Sequence, residues 1–190
     1  MSVDISRISQ ENHRYAIHLA TFQNVIAYEN GSYKIADVSS IRDPYKSVDF
    51  WRNISLSAEI LLKACLLKHR IPFFRKRAHG EYGEKVTSLT NEWLDETLKK
   101  LEIDYVAQIN TGTVSTALKQ AQKELFGRVN IDVEKEKLIT QIFYIIIRTR
   151  RNRNSHFFFP NQAHIEIAEV EMLFLPLLNL LEEVYRSEPK

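Results

Sequence analysis

The chain has 190 residues, 44 % of them hydrophobic, and a formal net charge of +2. This composition excludes an intrinsically disordered chain, and the length leaves room for one core and little more. Five glycines and five prolines are too few for the tight turns of an all-β domain, so helices are expected.

The single cysteine, Cys65, excludes an internal disulfide and any zinc site built on cysteines. It sits in an apolar helical run and reads as a small buried hydrophobe. The stretch Met1 to Asn12 is polar and lacks the apolar core of a signal peptide. The longest apolar runs, such as Ile142 to Ile147, are too short to span a bilayer. A soluble, cytoplasmic protein without membrane contact is expected.

The first helix is expected from about Ser6 to Ala27, with Ile8, Tyr15, Leu19, Phe22 and Ile26 recurring at spacings of three, four and seven. Asn30-Gly31 marks a helix stop or a turn. Residues 31–48 read as a loop, with a weak strand signal at Tyr33, Ile35 and Val38. A second helix is expected from about Val48 to His69, apolar over a wide surface. Within it Glu59 and Lys63 stand four apart, in the favourable order for a helix pair. Pro72 should end it.

The stretch Phe73 to Gly83, basic and aromatic, reads as a loop. Its composition suits single-stranded RNA, although a solvated loop with inward phenylalanines fits it better. A third helix is expected over about Thr90 to Leu101, a fourth over Ser115 to Phe126, and a fifth over Val133 to Arg150. The fifth is apolar nearly all round and should be central. A junction carrying Phe157-Phe158-Phe159 and Pro160 precedes a last helix over about Ala163 to Arg186. The expected fold is all-α, an antiparallel bundle of five to six helices in one domain over 1–190.

The chemistry concentrates at Arg148-Thr149-Arg150-Arg151-Asn152-Arg153-Asn154-Ser155-His156. RNA carries its own nucleophile, the ribose 2′-hydroxyl. Its cleavage needs a group that moves protons and a charge that stabilises the phosphorane. A histidine with an ordinary pKa of about 6.5 suits the first role. An arginine, always charged and planar, suits the second. An asparagine can hold the phosphate or orient the histidine. Arg151 and His156 are five residues apart, about 140° around an unbroken helix. They converge only if the helix loosens after Asn152, or if a second chain completes the cleft.

This run resembles the HEPN superfamily, helical bundles with an Arg-x4–6-His motif near the end of a late core helix, often with Asn after the Arg. Arg151-Asn152-Arg153-Asn154-Ser155-His156 has the four-residue spacing and the Asn. Ser57-Ala58-Glu59-Ile60-Leu61-Leu62-Lys63-Ala64 resembles the family's early helix. The resemblance covers about residues 48 to 186 and leaves the N-terminal helix, about 6–28, as an addition. It implies a metal-independent ribonuclease without cofactor, working as a homodimer, in a toxin–antitoxin or phage-defence setting with an antitoxin or a larger defence complex as partner. It assigns catalysis to Arg151, Asn152 and His156, substrate binding to Arg153, Arg148 and Arg150, and support of the motif to Glu59. Two other readings stay open. One is a non-catalytic HEPN-like module that binds nucleotide, RNA or a protein partner. The other is an interaction protein with a chance Arg-x4-His, since arginines also favour the C-terminal end of any helix.

The remaining histidines, His13, His18, His69, His79 and His164, read as solvated or satisfied in the core. Glu182 and Glu183, adjacent on a helix, diverge and make no paired-carboxylate site.

Overall fold

The computed structural model describes residues 5–37, 44–71, 74–78, 85–88, 109–111, 114–129, 131–146, 165 and 167–188. The described residues are mostly helical. Helix α1 (Ile5–Thr21) leads into a β-hairpin of β1 (Ile26–Glu29) and β2 (Ser32–Ile35). Helix α2 (Pro44–Lys68) follows. Strands β3 (Phe74–Ala78), β4 (Lys85–Ser88) and β5 (Ile109–Thr111) form an antiparallel sheet in the order β4-β3-β5. Helix α3 consists of Val114–Gln120, a π-helical turn Ala121–Leu125 and a final turn Phe126–Arg128. Helix α4 is Val133–Ile146. Helix α5 consists of Ile167–Glu169, a second π-helical turn Val170–Phe174, and Leu175–Arg186. The expected third helix, Thr90 to Leu101, lies outside the described residues.

The mostly helical expectation holds among the described residues, and the strands are an addition to it. The first helix stops at Thr21, where Asn24 takes a positive φ of 59° and its N–H donates to Thr21 O at 2.9 Å. Helical spacing continues into Ile26 by coincidence, since Ile26 is buried from a strand. Asn30-Gly31 is not a helix stop. Both residues have positive φ, 50° and 79°, and they join strands paired Glu29↔Ser32. This is the two-residue hairpin turn whose twist matches that of the strands. Phe74–Ala78, expected as part of a loop, is a central strand.

A Cβ on Gly31 would collide with the guanidinium of Arg186. Gly31→Ala therefore combines a strained φ with displacement of that arginine. A loss of roughly 1–2 kcal/mol is expected in urea unfolding, with Asn30→Gly near neutral as the control.

Helix α2 starts earlier than expected, at Pro44, because proline suits the first helical turn. It ends at Lys68. Arg70 has φ 54°, and the Ile71 N–H reaches back to Leu66 O at 2.8 Å, closing the helix before Pro72 is reached. Trp51, Ile54, Ala58, Leu61, Leu62, Cys65 and Leu66 are fully buried, so α2 is the central helix. Trp51 packs edge-on to Phe50, with ring centroids 5.1 Å apart, and lies 5.5 Å from Phe174. Helix α4 was expected in that central place. Instead it buries Ile139, Ile142 and Phe143 while Leu138 and Tyr144 stay exposed. It is an amphipathic flank, because its apolar positions include Leu138 on the solvent side.

Paired contacts fix the helix directions. Ser9 Oγ donates to Ala64 O at 2.8 Å, Ser57 Oγ to Ala16 O at 2.7 Å, and Gln23 Nε2 to Lys46 O at 2.8 Å. Rising position in α1 meets falling position in α2, so the two are antiparallel, with small serines seating each helix on the other's carbonyls. Helix α5 runs parallel to α2: Cys65 Sγ donates to Leu181 O at 3.4 Å and His69 Nε2 to Val184 O at 3.2 Å. The two are not neighbours in sequence, so their parallel course lies outside the expectation of antiparallel neighbours. The hairpin docks on α5 through Asn179, whose Oδ1 accepts Tyr33 N–H at 2.8 Å and whose Nδ2 donates to Tyr33 O at 3.0 Å. One side-chain amide thus takes the place of a neighbouring strand.

Candidate functional site

The candidate catalytic residues Arg151, Asn152 and His156, and the candidate substrate-binding residues Arg148, Arg150 and Arg153, lie outside the described residues. The helix that precedes them in sequence, α4, is described to Ile146. Glu59 is described. It lies on α2 with 6 % of its surface exposed, and its Oε1 accepts from Lys63 Nζ at 2.7 Å. The expected helix pair is therefore formed, and it is nearly buried: the side chains are 15 % and 8 % exposed for Lys63 and Glu59. A carboxylate that deep needs its cation, because an unpaired buried charge is costly.

The densest group of ionisable side chains among the described residues surrounds Glu182 on α5. This carboxylate, 2 % exposed, accepts from three elements. His13 Nε2 of α1 donates to Oε2 at 2.7 Å. Tyr28 OH of β1 donates to Oε1 at 2.6 Å, and Arg186 Nε donates to the same oxygen at 2.8 Å. Arg186 Nη2 also donates to Tyr28 Oη at 3.0 Å. The His13 ring stacks on Tyr185, centroids 4.0 Å apart and 2° from parallel, and Lys68 Nζ sits 5.2 Å from the centre of the Tyr185 ring. Because an ionised carboxylate only accepts, His13 carries its proton on Nε2.

Burial opposes ionisation of Glu182. The hydrogen bonds from His13, Tyr28 and Arg186, with the charge of His13, outweigh it and hold the carboxyl below the ordinary carboxylate range. The Tyr28 hydroxyl moves up, by burial and by the neighbouring Glu182. So does that of Tyr33, for which burial dominates. A carboxylate closed by three donors is a clip between elements: it has no accessible lone pair to offer a substrate. Burial likewise raises the Cys65 thiol far above the thiolate range, which removes it as a nucleophile.

The expectation that His13 and His69 are satisfied in the core holds in different degrees. His13 is fully engaged on its Nε2 side. His69, 4 % exposed, bonds through Nε2 to Val184 O, while its Nδ1 is buried with no partner, and burial lowers its pKa. Glu182 and Glu183 do diverge, as expected. Glu183 is half exposed and accepts from Lys135 at 2.5 Å, beside a groove of about 110 Å³ also lined by Val129, Ile131, Asp132, Val184 and Ser187. What the sequence did not reveal was the part played by Glu182 and His13. The only local signal was the i, i+4 spacing of Glu182 and Arg186.

Among the described residues no group of three or more His, Cys, Asp or Glu side chains is placed to hold a metal ion. No helix there is long and apolar enough to cross a membrane. Comparison with protein-family models, with curated proteins and with solved structures returned no match.

Proposed function

We propose that the chain is a metal-independent endoribonuclease that cleaves RNA by attack of the 2′-hydroxyl on the adjacent phosphate. One observation carries this reading: the run Arg151-Asn152-Arg153-Asn154-Ser155-His156, which follows α4 in sequence and has the spacing and the Asn of the HEPN motif. Arg151 stabilises charge on the phosphorane, His156 transfers protons, and Asn152 positions the phosphate or the imidazole. Arg148, Arg150 and Arg153 attract the backbone. Glu59 is the acidic residue that the resemblance sets in support of the motif. The same resemblance favours a homodimer, restrained by an antitoxin or a larger defence complex.

The test is incubation of the purified chain with mixed RNA in excess EDTA, read on a denaturing gel with end-group analysis. Cleavage that leaves 2′,3′-cyclic phosphates is expected. Cleavage that appears only on addition of a divalent metal would sink the reading. No cleavage over a wide range of RNAs would favour a non-catalytic module that binds RNA or nucleotide.

A further inference from the structure

The basic stretch that follows α2 forms β3, the central strand of the sheet β4-β3-β5. Of the twelve residues in these three strands, Arg75, Lys76, Arg77 and Lys85 are cations and none is an acid. Strand geometry sorts the cations, because successive residues alternate between the two faces and directly paired residues share one. Arg75 and Arg77 fall on one face. Arg75 pairs with Ser88 of β4 and Asn110 of β5, and Arg77 pairs with Val86. One row across the sheet therefore reads Ser88, Arg75, Asn110: an arginine between two neutral hydrogen-bonding residues. The other face takes Phe74, Lys76 and Ala78, with Lys85 and Ile109 among their pairs.

Composition and register together select an occupant. Antiparallel sheets commonly turn one face to the core and one to water. Phe74, Ala78 and Ile109 share the second face, which leaves Val86 as the single apolar residue on the face of Arg75 and Arg77. A peptide that adds as a strand pairs with an edge, but the two arginines belong to the central strand, and the edge strands carry only Lys85. The arginines stand two strand steps apart, about 6.7 Å, close to the spacing of successive phosphates along an extended nucleic-acid strand. Arg, Ser and Asn are residue types that meet phosphate oxygens. No aromatic residue falls on this face, so its chemistry suits a backbone and not stacked bases. The acids nearest in sequence, Glu81 and Glu84, come between β3 and β4, beyond the Ala78↔Lys85 pair, whereas the Arg75 row lies at the other end of the ladder.

We propose that the face of the sheet bearing Arg75, Arg77, Ser88 and Asn110 is a docking surface for the phosphate backbone of single-stranded RNA. The choice of RNA rests on the ribonuclease reading above; the charge and the register do not. Contacts of this kind hold a strand without reading its sequence.

The test uses the full chain and a fluorescein-labelled 2′-O-methyl oligonucleotide, which lacks the nucleophile and is not consumed. Fluorescence anisotropy over a salt series gives Kd. Arg75→Gln with Arg77→Gln is expected to weaken binding about tenfold or more at about 0.1 M salt, and to flatten the dependence of log Kd on log salt by roughly 0.7 per cation. Lys76→Gln with Lys85→Gln removes the same charge from the opposite face and should change both far less. Arg75→Lys with Arg77→Lys should keep the wild-type salt slope. If the glutamine pair unfolds by circular dichroism, Arg77→Gln against Lys76→Gln makes the same comparison with one cation on each side. Failure of the wild type to bind overturns the proposal. So do equal losses from the two faces, because the charge would then act at long range and not through one surface. Displacement of the oligonucleotide by poly-glutamate as readily as by unlabelled RNA, at equal charge, overturns RNA as the occupant. A chain that binds through Arg75 and Arg77 but leaves all-ribose RNA intact in EDTA retains the docking surface and loses the ribonuclease reading. A chain that cuts RNA in EDTA and binds the oligonucleotide equally well with the glutamine pair keeps the ribonuclease reading and loses the docking surface.

Discussion

His156→Ala is expected to slow RNA cleavage in EDTA by about 10²- to 10⁴-fold, the usual contribution of a positioned proton-transfer group. The same comparison separates the chain's own activity from that of a contaminating nuclease, which would persist in the variant. Arg151→Lys probes the other half of the site. Lysine keeps the charge but loses the planar, two-pronged donor set. A marked loss there argues for a bidentate hold on the phosphate, whereas near-wild-type rates argue for charge alone. A His156→Ala variant that is folded by circular dichroism and cuts at the wild-type rate removes His156 from the mechanism.

Glu182→Ala is the substitution expected to harm the fold most among the charged residues described. It takes the common acceptor from His13, Tyr28 and Arg186 at once. Each charge-assisted bond contributes about 1.5–3 kcal/mol, and the donors left behind are partly buried. Arg186 is 53 % exposed on its side chain and can turn to water, so the net loss should be roughly 2–4 kcal/mol, short of the full sum. That corresponds to a fall in Tm of roughly 5–15 °C for a chain of this size. Its neighbour Glu183, 56 % exposed and paired with Lys135, should tolerate Glu183→Ala within about 1 kcal/mol. Equal losses at the two positions would refute the clip.

The pH dependence has a definite sign. Glu182 is held below its ordinary value of 4.5 in the fold, so its contribution is present above about pH 4.5 and is lost as pH falls through the lower folded value. Glu182→Gln should flatten the acid limb of the stability curve. The hydroxyls of Tyr28, Tyr33 and Tyr185 are raised from 10.0, chiefly by burial. Their contribution is present below about pH 10 and is lost as pH rises beyond it.

The helices that bury a wide apolar face were legible in the sequence. Helix α2 could be read from Trp51, Ile54, Leu61 and Cys65, because a helical period repeated over six turns has no competing explanation. The hairpin was not, for two reasons. Phe22 and Ile26 keep a helical spacing past the true end of α1, and Asn-Gly serves both as a helix stop and as a turn. Only pairing with Ser32–Ile35 decides between them. The clip was hidden more deeply. His13 and Glu182 are 169 residues apart, and nothing near either one marks the other. For the candidate catalytic run the case is reversed. Its residue types and spacing are plain in the sequence, while Glu59 is the one member of the proposed site whose surroundings the structure describes.

The partnership of the first and last helices has a consequence for how the protein is made. Helix α1 and the hairpin bury their apolar sides partly against α5, through His13, Tyr28 and Tyr33 meeting Glu182 and Asn179. A ribosome delivers the N-terminal partners first and the C-terminal partner last. Until α5 emerges, α1 and α2 can pair as a local antiparallel unit, but the side that α5 will cover stays open to water. Completion of the core therefore waits for α5, and a chain truncated before Glu182 would lack the residue that ties α1 and the hairpin to that helix.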